Sequence, residues 1–66
     1  MKVQREVYIG DNGLAVVHVR DGLRTSAYTI NVEEAMQLYP ERTVHSAVSK
    51  LAKHRFLSET AFTGYD

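Results

Sequence analysis

Residues 23–39 read LRTSAYTINVEEAMQLY, and the rhythm of the chain changes in the middle of them. Up to Ile30 the side chains are Thr, Tyr and Ile mixed with small polar residues, which favours an extended strand. From Asn31 the apolar residues Val32, Ala35, Met36 and Tyr39 fall at i, i+3, i+4 and i+7, the spacing of one helix face. Asn31 is a good N-cap, Glu34 stands where a capping box places it, and Glu33 and Glu34 complement the positive end of the helix dipole. Pro40 disfavours helical backbone at Tyr39 and predicts a stop there.

Upstream of this switch the pattern is extended. VQREVYI (3–9) alternates in character and LAVVHVR (14–20) is rich in Val. Asp11-Asn12-Gly13 supplies residues that tolerate a positive φ, and Asp21-Gly22 has the composition and spacing of a type I′ hairpin turn. Residues 1–30 are therefore expected to form a three-stranded antiparallel meander. Downstream, the short connection PER (40–42) leads to Thr43, a cap for a second helix. Val44, Ala47, Val48 and Leu51 form its apolar stripe, and His45, Ser46, Ser49, Lys50 and Lys53 are placed on the opposite face. The helix pair is expected over 31–54. Phe56, Leu57, Ala61 and Phe62 then read as a short strand or extended tail over 55–66. The fold class is α+β in a single domain of 66 residues.

Charge is balanced overall, eight basic residues against eight acidic, but not locally. Residues 42–55 carry Arg42, Lys50, Lys53 and Arg55 with no acid, while 31–41 carry Glu33, Glu34 and Glu41. The basic block thus coincides with the second helix. With no Cys there is neither a disulfide framework nor a thiolate metal site, and at this size one core leaves only a few kcal/mol of stability. A homodimer is the expected supplement. The chain shows no apolar signal region and no stretch of the roughly 20 apolar residues that span a bilayer, which predicts a cytoplasmic protein without a membrane partner.

The run VEEAMQLYPERTVHSAVSKLAKHRFLS (32–58) resembles the core of a winged helix-turn-helix domain of small bacterial and phage regulators. The likeness rests on Ala35 inside the first helix, Thr43 and Val44 opening the second, Val48 and Leu51 at core spacing, and the pair Phe56 and Leu57 where the next strand would begin. It departs from that family in lacking a Gly near Arg55, in its shorter turn, and in having no strand for a full wing after residue 63. The three N-terminal strands are therefore expected to replace the wing, with Arg20 and Arg24 flanking its tip. The resemblance implies a transcriptional regulator that binds double-stranded DNA with residues 43–54. In that role Arg42, Thr43 and the first backbone N–H groups of the helix hold phosphate, His45, Ser46, Ser49 and Lys50 face base edges, and Lys53 follows the backbone.

Other readings of the same residues stand beside this one. A basic helix face also serves solubility alone. His18, His45 and His54 lack the spacing and companions of a metal set, and His45 with Ser46 or Ser49 has neither an oxyanion hole nor a closed pocket, so neither a cofactor nor catalysis is expected. The competing class is a protein-interaction module, such as a phage-encoded inhibitor of a host protein, which would use the exposed edges or outer face of a Val-rich sheet.

Overall fold

The computed structural model describes residues 3–63, with side chains through residue 59. Three strands, β1 (Gln4–Ile9), β2 (Leu14–Asp21) and β3 (Arg24–Asn31), precede two helices, α1 (Val32–Leu38) and α2 (Val44–Thr63). The sheet is an antiparallel meander in the order β1-β2-β3. Tyr8, Val16 and Thr29 lie side by side across it, as do Val7, Val17 and Tyr28. Alternation along the strands sends Ala15, Val17, Val19 and Ile30 to one face, where all are buried, and leaves Leu14, Val16 and His18 exposed on the other.

Both hairpins depend on glycine, each for a positive φ. The first loop closes with a hydrogen bond from Gly10 N–H to the Leu14 carbonyl at 2.9 Å, and Gly13 has φ 79°. Across the second, Asp21 pairs with Arg24, so the turn residues are Gly22 and Leu23. Only Gly22, at φ 65°, is positive, which is the pattern of a type II′ turn. The expected Asp21-Gly22 type I′ turn is thus one residue out of phase. With glycine first of the two central residues, II′ needs no left-handed side chain, whereas I′ would force Leu23 into that region.

The helices cover the buried face of the sheet. Asn31 caps α1, its side chain accepting from Glu34 N–H at 3.0 Å. Tyr39 N–H returns to the Ala35 carbonyl at 2.9 Å, and Pro40 then prevents continuation. Ala35 is buried and Val32, Met36 and Tyr39 pack against the core, the stripe that their spacing predicts. Thr43 caps α2 through its hydroxyl, which accepts from Ser46 N–H at 3.2 Å.

α2 does not end at His54. It runs to Thr63, so Phe56 and Leu57 lie within a helix rather than a strand, and the tail expected over 55–63 is helical; residues 64–66 lie outside the described residues. The reason is the absence of any breaker, since no Gly or Pro occurs between Pro40 and Gly64. Continuation extends the stripe by one step, Val48, Ala52 and Phe56 standing four residues apart, with Phe56 1% exposed. At 1.5 Å per residue α2 is about 30 Å long, and it lies across all three strands.

Small side chains make this packing close. Ala15, Ala35, Ala47 and Ala52 are all buried and leave space for Phe56, Ile30, Val17, Val19 and Val48, the largest fully buried side chains. Leu51, 6% exposed, stands on the same buried side of α2. Leu51→Ala is expected to cost about 2–5 kcal/mol, enough to unfold most of a domain of this size, whereas Ser49→Ala should change stability by under ~0.5 kcal/mol. Urea or thermal melts of the two variants check this; equal midpoints would remove Leu51 from the core.

Candidate nucleic-acid interface on helix α2

α2 is covered on one side by the sheet and on another by α1, and its remaining surface bears the candidate residues. Turning by 3.6 residues per turn, Ser46, Ser49, Lys50 and Lys53 fall within a sector of about 100° opposite the buried stripe. Lys50 is exposed and Ser46, Ser49 and Lys53 are half-buried. His45 is exposed too, but five positions from Lys50 it stands about 140° away around the helix. The structure therefore brings Ser46, Ser49, Lys50 and Lys53 onto one face and leaves His45 on the flank.

At the start of the helix Arg42 and Thr43 join this face. Both are exposed. The Arg42 guanidinium donates to Ser46 Oγ at 3.0 Å, holding one of its five N–H donors and fixing its position over the first turn. The Lys50 ammonium lies 5.6 Å from the centroid of the Tyr39 ring, a cation-π contact that ties it to the side of α1. From Val44 to Ser58 the helix carries no carboxylate.

The other basic residues go elsewhere. Arg55 stands about 160° around the helix from Lys53 and pairs with Glu34 of α1 at 3.3 Å, both side chains being substantially exposed, so the pair adds little to stability. Of the expected capping box, the structure shows the bond from Glu34 N–H to Asn31 Oδ1, while the Glu34 carboxylate accepts from Arg55. Arg24 lies on the helix-facing side of the sheet with its guanidinium 4.4 Å from the centroid of Phe56. Arg20, one pleat out of step, projects from the opposite face and donates to the Gly22 carbonyl at 3.3 Å. The two arginines expected together at the hairpin tip are thus separated by the sheet: Arg24 stands opposite Asp21 and Arg20 opposite Thr25, and any two-residue turn between these strands puts residues 20 and 24 on opposite faces. Arg20 and α2 likewise stand on opposite sides.

Three features escape a reading by composition. Tyr39, assigned to the core by its spacing, also underlies Lys50. Leu57, 38% exposed, follows Lys53 at i+4 and adds an apolar member to the open face, a position visible only once the helix is extended past His54. The outer face of the sheet is the third: Tyr8 is 56% exposed and Leu14 and Val16 are each 37% exposed, with the rings of Tyr8 and His18 edge to face at 5.5 Å. Beside them a shallow depression of about 710 Å³ is lined by residues that include Glu6, His18, Arg20 and Thr25.

Among the described residues no cluster of His, Asp or Glu has the arrangement of a metal site, and no helix is long and apolar enough to cross a membrane. Compared with protein-family models, curated proteins and solved structures, the chain gives no significant match.

The far half of α2 is held by a polar contact as well as by Phe56. Tyr28 of β3 donates its hydroxyl to Glu59 Oε2. Burial, and then this hydrogen bond, raise the Tyr28 pKa above its ordinary value of 10.0. Because the folded state favours the neutral phenol, the resulting stabilisation is full below the unfolded pKa and is lost as pH rises through the folded one. The melting temperature of the protein should fall above pH 10.0, and the advantage of wild type over Tyr28→Phe should shrink over the same range. A constant difference between the two proteins across that range would refute the linkage.

Proposed function

We propose that the chain is a small DNA-binding regulator of helix-turn-helix type that lays the open face of α2 against duplex DNA. The observation that carries this reading is the convergence of Arg42, Lys50 and Lys53 on that face, with no acid on the helix before Glu59. Arg24 of β3 is directed to the Phe56 ring and Arg55 to Glu34, so the remaining Lys and Arg charge on α2 is concentrated where a duplex would lie. Arg42 contacts phosphate with the N–H groups not used by Ser46, beside the Thr43-capped helix start. Lys53 at the centre of the sector and Lys50 at its α1 side follow, with Ser46 between them and Ser49 at the far edge as short hydrogen-bonding groups. The β2-β3 hairpin takes no part as a wing in this arrangement, because Arg20 points to the other side of the sheet.

A specific observation favours one other reading, an interaction module for a host protein. Tyr8, Leu14 and Val16 form an exposed apolar strip on the sheet face that, among the described residues, no helix covers. Such strips on small domains mark association surfaces.

The two readings respond oppositely to salt. If the α2 face neutralises three phosphates, log K for random duplex should fall against log salt with a slope of about −2.7 per chain. Lys53→Ala should lower that slope by roughly one, and the triple alanine variant at Arg42, Lys50 and Lys53 should abolish measurable binding while keeping its circular dichroism spectrum. Fluorescence anisotropy across a salt series reads both quantities. Undiminished binding by the folded triple variant, or no binding by wild type at low salt, would overturn the DNA reading.

A further inference from the structure

The edge of the sheet at β1 is open, since among the described residues no strand pairs with it on the side away from β2. The phase of its backbone follows from the first hairpin. Gly10 N–H donates to Leu14, so by the alternation of an antiparallel ladder Glu6 and Tyr8 exchange hydrogen bonds with β2. The N–H and C=O groups of Arg5, Val7 and Ile9 consequently point outward. By the same argument from the Asp21–Arg24 pair, Thr25, Ala27 and Thr29 point outward along β3.

The two edges differ in the side chains beside these groups. Along β1, Val7 is half-buried, Ile9 is 46% exposed and Tyr8 is 56% exposed. Along β3 the flanking residues are Thr25, Ser26, Ala27, Thr29 and a Tyr28 already engaged by Glu59. Only the β1 edge combines unpaired backbone groups with apolar surface on both sides of the strand, the condition in which edges associate.

We propose that β1 pairs antiparallel with β1 of a second copy of this chain, in the register that sets Val7 opposite Val7. Charge selects the register. A two-fold axis normal to the sheet keeps like faces together and must pass through one residue of the strand. Centred on Arg5 it opposes two guanidinium groups, and centred on Glu6 it opposes two carboxylates, both unfavourable. Centred on Tyr8 it shortens the overlap within the strand to residues 7–9. Centred on Val7 it overlaps residues 5–9, places Arg5 opposite Ile9 and Glu6 opposite Tyr8, and opposes no like charges. The outward groups of Val7 are in phase for it. The product is a continuous six-stranded sheet with both helix layers on one side. The proposal is independent of any nucleic-acid ligand.

The register gives the test. Ile9→Lys and Ile9→Glu remove the same apolar side chain, but the lysine faces Arg5 of the second copy and the glutamate attracts it. Sedimentation of the full chain should show a dimer whose dissociation constant rises about tenfold more with Ile9→Lys than with Ile9→Glu, and adding Arg5→Glu to Ile9→Lys should recover the loss. Amide exchange on the wild type should show protection that grows with concentration at Arg5, Val7 and Ile9 and stays constant at Thr25, Ala27 and Thr29. A wild-type monomer at the highest soluble concentration, equal effects of the two Ile9 variants in folded protein, or concentration-dependent protection along β3 instead of β1 would each overturn the proposal.

Discussion

Everything in this molecule depends on one contact surface, the stripe Val48, Ala52 and Phe56 of α2 seated on Val17, Val19 and Ile30 of the sheet. A small sheet needs a hydrophobic face or a covering helix for independent stability, and a helix of ordinary composition holds its shape in a protein largely through the face it buries. Each element therefore needs the other. Alanines at 15, 35, 47 and 52 bring the layers together, and no buried side-chain nitrogen or oxygen is left without a hydrogen-bond partner among the described residues. With so few large apolar side chains available, the extension of α2 to place Phe56 under Arg24 adds a substantial part of the core rather than a trailing turn.

That extension marks the boundary of what was legible in the sequence. The change from two-residue to helical spacing at Asn31, the cap at Thr43 and the stop at Pro40 all rest on local chemistry, and the structure has each of them. The end of α2 rests on the absence of a Gly or Pro before Gly64, which permits the extension, and on long-range packing, which favours it. Phe56 and Leu57, adjacent and apolar, fit the start of a strand equally well until it is known that β3 offers Arg24 and Tyr28 to the far half of a helix. The turn phase at Gly22 has a different, local cause. Asp-Gly is a strong signal, but a type I′ turn centred on it would hold Asp21 at positive φ, whereas pairing Asp21 with Arg24 leaves Gly22 as the one residue of the turn in that region.

The candidate site was legible to the same depth. The basic block 42–55 was visible, but its four cations are not equivalent: Arg55 is turned to Glu34, and Lys50 is drawn towards Tyr39. A one-residue phase difference on a strand separates Arg20 from Arg24, and a five-residue interval on a helix separates His45 from Lys50. Proximity in sequence overstated both groupings. What survives the geometry is a smaller set, Arg42, Thr43, Ser46, Ser49, Lys50 and Lys53, bounded by Leu57.

The division of labour among the arginines explains how a chain of zero net charge still presents a basic face. Acids and bases of α1 and α2 do not cancel across the whole surface, because Glu33 and Glu34 sit at the start of α1, where its dipole favours them, and Glu34 takes up Arg55 from the far side of α2. The Arg55–Glu34 pair thus lies in the seam between the helices. The sector of α2 that faces neither α1 nor the sheet keeps its positive charge, and the same packing that buries Leu51 and Phe56 fixes the direction in which Lys53 must point.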